Sequence, residues 1–158
     1  MIAGIDCAKN KIAVVRYEPE EDRVEVFTYI CEEANRCRQL ASISGIAREA
    51  TSGCEVVWIE EALVGRNTRS SLHVAVTTGA VAAGLSVKAY FVPVKAWKRK
   101  IIGNGNANKG AIALWLNANH ETYAEQCGDD QDLIDATCIA LYGHRIQTVA
   151  ASLGLDRY

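Results

Sequence analysis

The sequence has no CxxC pair, only three histidines and two prolines, and no long apolar run. Each shortage excludes something. A helix that crosses a bilayer needs about 20 mostly apolar residues, so no membrane partner is expected. The first residues show no basic region followed by an apolar stretch and a small-residue cleavage site, which leads us to expect a cytoplasmic protein. Six cysteines (Cys7, Cys31, Cys37, Cys54, Cys127 and Cys138) lack the paired spacing of a zinc site, and His73, His120 and His144 are scattered. The thiols are read as reduced. With no repeat, linker or low-complexity tract, residues 1–158 are expected to form one domain.

What is present has an α/β pattern. "IAGID", "KIAVVRY" and "RVEVFTY" read as three strands of an antiparallel meander, the last with Val24, Val26 and Thr28 on one face. A helix is expected over 33–50, with Leu40, Ile43, Ile46, Ala47 and Ala50 at helical spacing. "EVVWIE" is a short apolar run of the kind buried on both faces. A small-residue helix over 68–84 and a strand "VKAYFV" follow. The remainder reads as helices broken by "GNGNANKG", the last apolar one over 130–142 with a further helix beyond Arg145. The sum is a layered α/β domain with a mixed sheet.

Carboxylates stand at odd places in this pattern. Asp6 ends "IAGID", Glu60 ends "VVWIE", and Asp132 and Asp135 lie in "QDLIDATCIALYG", where nearly everything else is apolar or small. Residues three apart share a helix face, so Asp132 and Asp135 point the same way. Adjacent parallel strands would put Asp6 and Glu60 about 4.8 Å apart. A lone acid at a strand end is most often a solvated terminus, and Asp129 and Asp130 suit a helix N-cap better than a ligand. As a set, buried like charges raise one another's pKa unless a cation intervenes. Oxygen-only ligands suit Mg²⁺ or Mn²⁺. The net charge of −2 argues against a protein that coats polyanions, yet Lys95, Lys98, Arg99 and Lys100 cluster in "VKAWKRK" and Arg66 and Arg69 follow Glu60 and Glu61. Acids that hold metal beside bases that hold phosphate would give such a balance.

These motifs resemble the RNase H-like nuclease superfamily, and more narrowly the RuvC-like Holliday junction resolvases. "GIDCAKN" looks like the family's first-strand "GID" motif, "WIEEAL" its fourth-strand "IEQ", and "DLIDATCIAL" its final-helix "DxxDAxxIA". "WKRKIIGNGNANKG" resembles "VKxxxxGxGxxxK", and Asn67, Ser70, Leu72 and Gly79 keep the family's spacing between them. The resemblance covers residues 2–143. It implies a five-stranded mixed sheet, three antiparallel strands then two parallel, flanked by helices. It also implies two Mg²⁺ ions about 3.5–4 Å apart, with Mn²⁺ as a substitute, held by Asp6, Glu60, Asp132 and Asp135. Lys109 would join them in catalysis by stabilising charge on the phosphate. Arg66, Asn67, Arg69, Lys98, Arg99, Lys100, Asn104 and Lys109 would contact DNA.

The implied activity is Mg²⁺-dependent resolution of four-way DNA junctions by paired symmetrical nicks, in a bacterial cell or as a phage-encoded enzyme. An alternative within the same superfamily is cutting of flaps, forks or RNA–DNA hybrids. Two departures bear on that choice. Leu63 stands where the family often has an aromatic, and Cys7 and Ala8 replace the proline and glycine of "GIDPG". No nucleotide cofactor is expected, because Lys109 lies between Asn108 and Gly110 and "GNGNANKG" fits neither a P-loop nor GxGxxG. The helix "SSLHVAVTTGAVAAGL" is small or apolar all round; one face suits the sheet and the rest a two-fold contact, so a homodimer is expected.

Overall fold

The computed structural model describes residues 1–62 and 68–155. Strands β1 (Ile2–Cys7), β2 (Lys11–Glu18) and β3 (Arg23–Ile30) form the meander, α1 (Arg36–Ala50) follows, and β4 (Val56–Glu60) returns to the sheet. Helix α2 (Thr68–Gly84), β5 (Lys88–Val92), α3 (Val94–Ile101), α4 (Lys109–Asn119), α5 (Glu121–Cys127) and α6 (Gln131–Ser152) complete the order. The five strands lie in the order β3-β2-β1-β4-β5. β1 and β3 are antiparallel to β2, whereas β4 is parallel to both β1 and β5.

Period-two alternation divides the central strands between two apolar layers. Ile2, Ala13, Val15, Val56 and Trp58 face α6 and the helices around it. Ala3, Ile5, Ile12, Val14, Val57 and Ile59 face the other way, against Ile43 and Ala47 of α1 and Val81 of α2. β1 and β4 are therefore buried on both sides, as their unbroken apolar runs require. Val24 is buried and Val26 packs beside it on the α6 side, so β3 presents the face expected of it.

Two boundaries differ from the sequence reading. Helix α1 begins at Arg36 rather than residue 33, because the Asn35 side chain caps it by accepting from the Arg38 N–H at 3.1 Å. At the C-terminal end a single 22-residue helix replaces the two expected. Gly143 does not break it. The glycine lies against the Trp58 indole, where a Cβ would stand 2.2 Å from a ring carbon.

A second glycine seats the same helix one strand away. A Cβ on Gly4 would lie 2.2 Å from the Ala136 carbonyl oxygen and 2.5 Å from the Ala140 nitrogen. The α6 backbone therefore rests directly on β1. Gly45, inside α1, has no atom within 4 Å of its would-be Cβ.

These contrasting glycines predict opposite responses. Gly4→Ala must push α6 off the sheet and is expected to lower unfolding free energy by about 1–3 kcal/mol. Gly45→Ala is expected to raise it by about 0.5–1 kcal/mol through helix propensity alone. Urea denaturation of the two variants beside the wild type checks both signs.

Candidate active site

The register of β1 on β4 pairs Ile2 with Val56 through Ile5 with Ile59, so the next residues, Asp6 and Glu60, end neighbouring strands side by side. Asp6 lies two residues from Gly4 and Glu60 two from Trp58, so both acids point to the face covered by α6. Asp135 immediately precedes Ala136, whose carbonyl sits over Gly4. Asp132 is one turn nearer the start of the helix. The four acids named from the sequence therefore meet where α6 crosses the ends of the two central parallel strands.

Their electrostatics follow from that meeting. The Asp6 carboxyl is pushed up to about 8, by burial first and then by Glu60, Asp132 and Asp135. Glu60 is pushed up to about 7 by burial, against the pull of the Trp97 indole, whose Nε1–H donates to Glu60 Oε2 at 2.8 Å. Burial also raises Asp135, although the Gln131 amide donates to its Oδ1 at 2.7 Å and the ammoniums of Lys98 and Lys109 act against the rise.

Asp132 has a different partner, the Lys11 ammonium, at 2.8 Å. Lys11 also holds both oxygens of Asp130, at 2.7 and 2.9 Å. Asp130 caps α6, its side chain accepting from the Asp132 N–H at 3.1 Å. Burial would raise the Asp130 carboxyl, but the Lys11 bonds outweigh it and hold it below the usual range. Asp129 is exposed outside this network, and Glu61, whose backbone N–H donates to the Val92 carbonyl, is exposed as well.

The donor set fits a hard divalent cation. It is all oxygen and largely buried, and among the described residues no cationic side chain pairs with Asp6. Among those residues, however, no three His, Cys, Asp or Glu side chains are already arranged as a coordination sphere. The partners explain this: Trp97, Gln131 and Lys11 each engage one carboxylate that an ion would have to share.

The basic residues fall into groups. Lys98 is half-buried beside the acids, its Nζ donating to the Ala107 carbonyl at 3.1 Å, so it braces the "GNGNANKG" loop as well as facing Glu60 and Asp135. Lys109 opens α4, exposed, after Asn108 caps that helix. Arg99 and Lys100 are exposed on α3, and the Lys100 carbonyl accepts from Arg145 at 2.7 Å. The exposed Asn104 accepts from the Asn106 N–H at 3.0 Å and shapes the loop. Arg69 is exposed in the first turn of α2. Arg66, Asn67 and Leu63 lie outside the described residues.

Sequence reasoning missed Lys11, although "CAKNK" places it five residues after Asp6. Strand alternation carries the signal: Lys11 shares a face with Ala13 and Val15, which pack under α6. The acids do not line a cavity of about 540 Å³ that lies along the other half of α6 among Tyr17, Trp115, His120 and His144.

Because Asp6 and Glu60 bind protons more tightly in the folded chain than in the unfolded one, the metal-free protein should lose stability as pH rises from about 4 through 8. Asp6→Asn should flatten that decline. At pH 8 without metal it should melt at least about 2–4 °C above the wild type, the shift of ~1 kcal/mol in a chain of this size. Thermal melts in EDTA at pH 5 and pH 8 measure both.

The chain matches no protein-family model and no curated protein sequence. Among solved structures it is similar to Thermus thermophilus RuvC, with a TM-score of 0.68 and 23% identity over 99% of this chain and 98% of the other. It is likewise similar to T. thermophilus RuvC in complex with Holliday junction substrate, with a TM-score of 0.69 and 18% identity over 99% and 97% of the two chains. The fold is the RNase H-like fold of those RuvC structures.

Proposed function

We propose that this protein is a Mg²⁺-dependent, structure-selective DNA endonuclease that resolves Holliday junctions by paired symmetrical nicks. The observation that carries the reading is the convergence of Asp6, Glu60, Asp132 and Asp135 on a fold shared with a junction-bound RuvC. Asp6, Glu60, Asp132 and Asp135 would hold the metal. When bound, Mg²⁺ supplies Lewis-acid chemistry for phosphodiester hydrolysis: activation of water and stabilisation of the leaving oxygen.

The chain's own residues prepare that chemistry. Trp97 fixes the Glu60 carboxylate, and Gln131 does the same for Asp135. Lys11 keeps Asp132 and the first turn of α6 in place. Lys109, exposed at the start of α4 and facing Asp135, is placed to meet the negative charge of a phosphate. Lys98 steadies the loop that leads into that helix.

Two cuts related by a two-fold axis need two active sites. Leu72, Val76, Gly79 and Ala83 recur at helical spacing on α2 and are all exposed, Leu72 to 62% and Val76 to 43%. Such a stripe of apolar and small residues suits a self-complementary helix contact. Leu63, in place of an aromatic, favours a second reading in which flaps, forks or RNA–DNA hybrids are cut by the same centre.

The test is cleavage of labelled four-way junction, flap, fork, duplex and RNA–DNA hybrid with Mg²⁺ or EDTA. Symmetrical junction nicks are expected, abolished by EDTA and reduced at least about 100-fold in Asp6→Asn or Glu60→Gln. Preferential cutting of flap, fork or hybrid would select the second reading, and metal-independent or absent cutting would reject both. In Leu72→Glu/Val76→Glu, sedimentation should report a monomer and the two nicks should become uncoupled.

A further inference from the structure

On the other side of the Asp6 strand end is a second cluster, of opposite charge. A pocket of about 230 Å³ is lined by Lys9, Arg69, Ser70 and His73. Lys9 belongs to the turn after β1, while Arg69, Ser70 and His73 lie in the first two turns of α2, at the positive end of its dipole. Lys9 follows Asp6 by three residues, so its Cα lies within about 11 Å of the Asp6 Cα even for a fully extended chain.

The pocket is built rather than incidental. Arg36, at the start of α1, donates from Nη1 to the Lys9 carbonyl at 2.7 Å. Its Nη2 donates to the His73 carbonyl at 2.9 Å and to the Thr77 hydroxyl at 2.8 Å. One guanidinium thus ties the turn that carries Lys9 to the helix that carries His73. Its Nε is buried with no hydrogen-bond partner.

Among the described residues none of Lys9, Arg36 and Arg69 is in an ion pair. His73 is held below the ordinary imidazole range, by burial first and then by Lys9, Arg36 and Arg69. Like charges gathered at one concavity without a counter-charge destabilise the free protein and are relieved by a bound anion.

Resting on the nuclease reading above, we propose that Lys9, Arg69 and His73 form a phosphate pocket, shaped by Arg36, that grips one backbone phosphodiester of the bound DNA beside the acid site. The pocket is small, so its bases neutralise a single phosphate together. Its contribution is independent of base sequence and positions the strand rather than selecting it.

The experiment measures binding of a fluorescent four-way junction and a plain duplex to full-length Asp6→Asn protein across a NaCl series, with Lys9→Gln, Arg69→Gln and the double variant added. Loss of one phosphate contact lowers the magnitude of the log K against log [salt] slope by about 0.9. The double variant is expected to lose about that much and no more, equally for junctions of different sequence. Unchanged slopes, or single losses that add to two phosphates, overturn the proposal.

The nuclease reading fails separately. Absence of metal-dependent cutting of any branched or hybrid substrate by the wild type rejects it, while a reduced duplex slope would still support the pocket. His73 ring resonances are also followed during titration with inorganic phosphate alone. A shift lost in Lys9→Gln/Arg69→Gln supports the pocket, and a shift with no change in DNA slope assigns it to a free anion and overturns the proposal.

Discussion

The contact on which the rest depends is the α6 backbone resting on Gly4. Helices normally stand off a sheet by the depth of two layers of side chains. Here the Ala136 carbonyl and the Ala140 nitrogen occupy the space a Cβ would fill, and the Gly143–Trp58 contact repeats the close approach farther along the helix. Because both contacts lie on the face that carries Asp6 and Glu60, lowering the helix onto the sheet also lowers Asp132 and Asp135 onto those acids. A packing decision made with glycines thereby becomes an electrostatic one.

That electrostatic arrangement works against folding, and the structure answers it locally. Burial and mutual repulsion raise Asp6 and Glu60 into the neutral pH range, so a metal-free chain near pH 7 carries part of its acid cluster protonated. Three neutral or cationic donors, from Trp97, Gln131 and Lys11, hold the other carboxylates without pairing Asp6. Asp6, which Glu60, Asp132 and Asp135 all push up, is the one acid of the four without such a donor among the described residues. Stability is lower there for the same reason that a cation would be favoured.

Much of this was legible in the residues. Asp6, Glu60, Asp132 and Asp135 stood out as a set, because carboxylates in two-sided apolar strands and an apolar helix are costly to bury; the strand order sets Asp6 beside Glu60, and the seat of α6 on Gly4 brings Asp132 and Asp135 to them. The single course of α6 was not legible, since Gly143 reads as a break unless the Trp58 ring beneath it is known. Lys98 reads as one of several bases that would contact DNA, and nothing in the run tells that its ammonium donates to the Ala107 carbonyl and faces Glu60 and Asp135. Lys11 was hidden for a third reason. Its partners, Asp130 and Asp132, lie more than a hundred residues away, and only the fold reveals such a pair.

The turn after β1 links the acidic and basic halves of the surface. Asp6 and Lys11 project to the α6 side, one into the acid cluster and the other onto the carboxylates that begin the helix. Between them the chain bends, and Lys9 is carried toward α1 and α2, its carbonyl held by Arg36. The turn thus separates a carboxylate on the α6 side from a base on the α1 and α2 side within three residues. The family-like proline and glycine are absent from this turn. Cys7, buried toward α2, and Ala8, whose N–H donates to the Lys11 carbonyl at 2.8 Å, make it instead. The substitution therefore leaves the geometry of Asp6 to β1 and α6, and gives the turn to Arg36 and the bases it gathers.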